Sequence, residues 1–277
     1  MRYLKTCLLL LSLLLLLSPM RLQAFVAPAQ VQVESEWGDA NPDDVKAVLN
    51  SVVEAISPYM AGRTFGNIIV RNDKSGPISL YEKSPNDEYI VLLNVNGRYW
   101  AQLAYQFSHE MCHLMSNYDL APNNITRQQW LEESLCEAFS LFALEKMAQQ
   151  WATDPPYPHW QEYASKFTEY QQDMFKQAHR QLPKSMKLPK WYQAYAKTLS
   201  ADPYAQGRDL NELVANQLLP IFTEQPEAWT TLNYLNLGDD SDDKSLRKYL
   251  TDWENNLPSK WQPTVEEIQQ ILIKPAQ

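Results

Sequence analysis

Glycine is scarce, with seven in 277 residues, at positions 38, 62, 66, 76, 97, 207 and 238. With those spacings no G-x-G-x-x-G loop, no Walker loop and no G-x-S-x-G nucleophile elbow can be written, which removes the common nucleotide-binding loops and the α/β-hydrolase signature. Positive charge is also in deficit: 24 Lys and Arg against 33 Asp and Glu leave a formal net charge of -9. Without a basic field or a local Lys/Arg cluster, nucleic acid is not an expected partner. Beyond the first two dozen residues no apolar run approaches the roughly 20 residues that span a bilayer. What is present is a globular composition, 45% hydrophobic and 21% charged, long enough to bury a substantial core.

Residues 1–24 carry Arg2 and Lys5, a Leu-dominated run from Cys7 to Leu17, the helix breaker Pro19 and the small residue Ala24. That order of charge, short apolar run and small residue is the pattern of a secretory signal peptide. Cys7 opens the apolar run rather than closing it, the wrong place for lipid attachment at a cleavage site. The expectation is an exported chain, secreted or periplasmic, with no membrane association once the leader is removed. Cys112 and Cys136 survive cleavage, and in an oxidising compartment a nearby pair can close.

Residues 25–36 look like an extended lead-in. Asn41-Pro42-Asp43-Asp44 then opens a helical pattern with Val45, Val48, Leu49, Val52, Val53 and Ile56 on one stripe, ended by Pro58. Three β-rich runs follow, at 67–70, 78–81 and 89–93, separated by Gly76-Pro77 and Ser84-Pro85-Asn86, and predict a small sheet. A helix is expected after Asn96-Gly97, striped by Tyr99, Leu103, Phe107, Met111 and Leu114. After a loop, the capping pattern Thr126-x-x-Gln129 predicts a second long helix from about Arg127 to Trp151, stopped by Asp154-Pro155-Pro156. The remainder reads as mainly helical. The expected fold is therefore α+β: a leader at 1–24, a sheet with two site-bearing helices over 25–153, and a helical subdomain over 154–277 that closes a cleft.

The first of those two helices contains His109-Glu110-x-x-His113. On a helix the i, i+4 spacing puts both imidazoles on one face, where they can share a metal ion, while Glu110 sits beside it as a general base. Two of the chain's four histidines lie in this pentapeptide. Nineteen residues after His113 the second helix brings Glu132 and Glu133, which can return a carboxylate as third ligand and leave a fourth position open. Glu137, four residues after Glu133, is spaced to accept an N–H from a ligating histidine. If the two helices pack together, Cys112 and Cys136 form either a disulfide or two buried thiols. Thiolate ligation is not expected, since Cys112 lies off the face shared by the two histidines.

His109-Glu110-x-x-His113 followed by Trp130-Leu131-Glu132-Glu133-Ser134 resembles the gluzincin zinc metallopeptidases, above all the M1-like group, whose third-ligand segment reads W-L-x-E-G. The resemblance implies a zincin-like fold, Zn2+ held by His109, His113 and Glu133, and Glu110 as catalytic base. Ser134 stands where the family has Gly. The family's oxyanion-stabilising Tyr in a Y-x-x-G context maps onto Tyr204, which precedes Gly207 and lies 71 residues after Glu133, with Tyr192, Tyr195 and His179 as substitutes. The G-x-M-E-N strand that M1 aminopeptidases use for a substrate's amino terminus is missing, so the implied activity is that of an endopeptidase rather than an aminopeptidase. An edge strand formed by 78–81 or 89–93 would align the peptide or protein substrate. Two other readings stay open on the same residues: a non-catalytic peptide- or protein-binding module that retains the fold, and a zinc amidase acting on a non-peptide substrate.

The aromatic residues Tyr157, Trp160, Tyr163, Trp191, Tyr192 and Tyr195 are read as helix packing rather than a substrate cleft. The acidic run at 239–243 lacks EF-hand spacing and is read as a solvated loop.

Overall fold

A computed structural model describes residues 28–34, 36–119, 125–201, 207–239, 243 and 245–273. The expected leader at 1–24 and Tyr204 lie outside them. Among the described residues no helix is long and apolar enough to cross a membrane. The chain is α+β, with a four-stranded sheet in its first third and helices through the rest.

The sheet has the order β1-β2-β4-β3, with β1 at Ala29–Glu34, β2 at Gly66–Asn72, β3 at Ile78–Ser79 and β4 at Tyr89–Leu93. β1, β2 and β4 are parallel, and β3 runs antiparallel to β4, with Ser79 opposite Val91. Parallel neighbours need a crossover, and α1 (Pro42–Ile56) supplies the one between β1 and β2. Its start follows from its sequence: the Asn41 side chain accepts the Asp43 amide N–H at 2.9 Å, Pro42 takes a first-turn position, and Asp43 and Asp44 face the positive end of the helix. Its valine and leucine stripe is buried against β1 and the next helix.

Residues 29–34 are a strand and not a patternless lead-in. Ala29, Gln30, Val31 and Gln32 alternate buried and exposed, the period of a half-buried strand, over a stretch too short to stand out from its Pro- and Gln-containing surroundings. The 78–81 run is a strand only over Ile78–Ser79, and β4 lies inside the sheet, so β3 is the edge on that side. Gly76 permits this: a Cβ there would sit 2.7 Å from the Leu92 carbonyl oxygen.

α2 (Trp100–Met115) is the central element, with Leu103, Phe107, Met111 and Leu114 fully buried; Tyr99 instead caps its start and is exposed. α3 (Ile125–Trp151) packs along α2. The chain kinks at Gln128, with φ −137° and ψ 37°, so the uninterrupted part of α3 starts after Gln128 and not at the expected Thr126 cap, whose side chain is outside the described set. Among the described residues five α-helices follow: α4 (Ala164–Phe175), α5 (Leu188–Ala201), α6 (Arg208–Glu224), α7 (Leu246–Asn256) and α8 (Gln262–Leu272). α3 also packs on α4 and α6, and one continuous core runs from the sheet through α8. Trp151 stacks on Trp160 and meets Phe167 edge-on, and Trp191 is buried, as aromatic packing residues should be.

Candidate metal centre

Helical periodicity builds the centre from two facing ladders. On α2, Tyr105, His109 and His113 follow one another at steps of four; on α3, Glu133 and Glu137 do the same. The helices are pinned to each other by a disulfide between Cys112 and Cys136, with Cα atoms 5.2 Å apart. Cys112 is thereby unavailable as a thiolate ligand.

His109 Nε2 lies 3.2 Å from His113 Nε2, Glu133 Oε2 lies 3.1 Å from His109 Nε2, and Glu133 Oε1 lies 3.5 Å from His113 Nε2. Ligands held about 2.0–2.1 Å from a shared tetrahedral zinc stand about 3.3 Å from one another, so the triangle has the size of one face of such a polyhedron. The outward nitrogens are turned to acids: His113 Nδ1 meets Glu132 Oε1 at 2.8 Å, and His109 Nδ1 faces Glu137 Oε1 at 3.7 Å. With its Nδ1 proton given to Glu132, a neutral His113 turns a lone pair inward. Two imidazole lone pairs and a carboxylate then converge with no donor between them, which is an arrangement for a cation.

The electrostatics agree. Burial works against a charge on His113, but Glu133 and Glu132 outweigh it and hold the imidazole well above its usual pKa. Burial would raise the Glu133 carboxyl, yet the charge on His113 and hydrogen bonds from both histidines hold it well below the usual carboxylate range.

Glu132 is buried and fully engaged: its Oε2 accepts Asn236 Nδ2 at 2.7 Å, and Asn236 Oδ1 accepts the Tyr249 hydroxyl at 2.7 Å. Glu110 is 2% exposed and is not drawn into the triangle; its Oε2 accepts the Ser79 hydroxyl of β3 at 2.7 Å. On the far side, Glu137 accepts the Tyr105 hydroxyl and lies 3.4 Å from Arg180 Nη2.

A cleft of about 330 Å³ opens over His109, Glu110, His113 and Glu133, walled by Ile78, Ser79 and Tyr81 on one side and by Gln129 and Arg208 on another. Tyr118 also lines it, and its hydroxyl donates to the Leu80 carbonyl at 2.5 Å.

The sequence-predicted His109, Glu110, His113, Glu133 and Glu137 are thus brought together. Tyr192 stacks on Trp130 at 5.6 Å, Tyr195 is exposed, and His179 pairs with Glu212; none of the three lines the cleft. Sequence reasoning offered Glu132 only as a candidate third ligand, whereas it sits behind His113 on Nδ1, and it missed Ser79, Asn236, Tyr105 and Arg180. Tyr105 alone carried a signal, its position one turn before His109.

A second His/Asp/Glu group, His179, Asp209 and Glu212, also places its ligand atoms within 4.8 Å of one another, but there Arg180 already lies 3.1 Å from Glu212 Oε2. Compared with known proteins, the chain matches no family model, no curated protein and no solved structure.

Proposed function

We propose that this chain is a zinc metallopeptidase of gluzincin type, hydrolysing peptide bonds in exported form and acting as an endopeptidase rather than an aminopeptidase. The observation that carries the reading is the convergence of His109, His113 and Glu133 on one point at the base of a cleft, with the Glu110 carboxylate beside it and outside the ligand triangle. A purely structural metal site is closed by a fourth protein ligand, and the described residues offer none here.

His109, His113 and Glu133 would hold the ion. Zinc, when bound, supplies a Lewis acid that polarises the scissile carbonyl and brings the pKa of water down to about 7. Glu110 takes the proton from the attacking water and returns it to the departing amine, so one carboxylate serves as base and then as acid. The Ser79 hydroxyl fixes which Glu110 oxygen is free for that exchange. Edge strand β3, with Ile78 exposed at the cleft wall, offers main-chain groups along which an extended peptide can align. Tyr204 is assigned to the oxyanion by the resemblance alone; Gly207, three residues after it, leads directly into Arg208 at the cleft.

The test is Glu110→Gln. The variant should bind zinc as the parent does and hydrolyse an unfolded protein substrate at least about 100-fold more slowly. If parent and variant, both loaded with zinc, are equally inactive across a broad peptide library, the peptidase reading fails and the non-catalytic binding module replaces it.

A further inference from the structure

We infer that Arg180, a residue from the helical second half of the chain, is a positioning residue for the metal centre. It acts through Glu137, whose carboxylate it keeps turned toward His109 Nδ1. The inference rests on the zinc reading above.

Arg180 ends a short 3-10 turn, Ala178–Arg180, and is wholly buried. One nitrogen, Nη2, sits among three oxygens: the Tyr105 hydroxyl at 3.0 Å, Glu212 Oε2 at 3.1 Å and Glu137 Oε2 at 3.4 Å. Tyr105 in turn donates to the same Glu137 oxygen. Glu137 is 3% exposed, and its other oxygen, Oε1, is the one that faces His109 Nδ1. The two oxygens of one carboxylate are therefore divided, one gripped by Arg180 and Tyr105, the other turned to the imidazole.

A buried guanidinium is costly unless its neighbours repay it. Burial lowers the Arg180 pKa, but Tyr105, Glu137 and Glu212 together more than reverse that. The Tyr105 phenol, pushed far up by burial and by Glu137, remains a donor. Salt bridges that only fasten surfaces do not need to lie one carboxylate away from a ligating histidine. Partners of ligands typically set metal affinity by 10- to 100-fold through ring orientation and basicity.

The experiment uses the full chain, stripped of metal and titrated with Zn2+ against a chromophoric chelator, with urea unfolding of each metal-free form in parallel. Arg180→Met should weaken zinc binding by about 10- to 100-fold. Glu137→Gln should weaken it similarly, and the double variant should be no worse than Glu137→Gln alone, because both act on one orientation. Tyr105→Phe, a milder change, should weaken binding several-fold and be silent in the Glu137→Gln background; it decides the matter if Arg180→Met does not fold. The Co2+-loaded forms should show altered visible bands in the same variants. Zinc affinity within twofold of the parent in Arg180→Met, or in Tyr105→Phe where that variant stands in, overturns the inference, as do effects that add to Glu137→Gln. Loss confined to urea stability would mean a structural role only. A parent that binds no zinc sinks the zinc reading and this inference with it, whereas a parent that binds zinc beside an unaffected Arg180→Met sinks this inference alone.

Discussion

Glu132 holds His113 from behind, its Oε1 at 2.8 Å from Nδ1, while the neighbouring residue Glu133 approaches the same ring from the front with Oε1 at 3.5 Å from Nε2. Consecutive residues on a helix diverge by about 100°, so one imidazole is gripped between them only because α2 lies close along α3. Glu132→Ala should leave Asn236 without its carboxylate partner and let the ring turn, weakening zinc by about 10- to 100-fold. Glu132→Gln, which keeps an acceptor, should fall between. Chelator competition measures both, and parent-like affinity in Glu132→Ala would mean that Glu132 does not orient the ligand.

Zinc uptake should release protons. In the metal-free protein His113 is held well above its usual pKa by Glu133 and Glu132, so near neutral pH it carries a proton where the ion would bind. Metal must displace that proton, so apparent zinc affinity should rise as pH increases from 6 toward the raised His113 pKa. Calorimetry in two buffers of different ionisation enthalpy reads the proton count; uptake that is pH-independent and proton-neutral would contradict the arrangement.

Much of this was legible beforehand, and the parts that were not share a physical reason. Helical spacing exposes residues that share one element, so His109, Glu110 and His113 could be found from periodicity, and the 19-residue gap with its Trp-Leu-x-Glu frame brought in Glu133. Glu137 followed from its step of four. The contacts that hold these groups in place come from distant parts of the chain: Ser79 is 31 residues from Glu110, Asn236 is 104 from Glu132, and Arg180 is 43 from Glu137. No local period encodes such pairs. The α1 stripe, the helix break at 154–158 and the small sheet were readable because burial repeats along one element. β1 was missed because six residues alternate too briefly, and the kink at Gln128 because the capping pattern lies one turn too early.

The Cys112–Cys136 disulfide closes a loop of 24 residues between α2 and α3. Restricting the unfolded chain over that length is worth about 3 kcal/mol. Cys112→Ala/Cys136→Ala should therefore unfold in urea with about 3 kcal/mol less stability. A loss under about 0.5 kcal/mol would show that helix packing alone fixes the centre.

Ser79→Ala tests the edge strand's hold on the base. Removing a hydrogen bond to a charged group costs about 1.5–3 kcal/mol, so kcat should fall about tenfold or more while zinc content stays the same. An unchanged kcat would mean that Glu110 needs no support from β3.

The proposed function stands on a zinc site formed by His109, His113 and Glu133. Elemental analysis of the purified chain, beside a His113→Ala control, tests it most directly. The expected result is close to one zinc per chain, lost in the control. A well-folded chain that takes up no zinc even when metal is supplied, or that holds as much after His113→Ala, would contradict it.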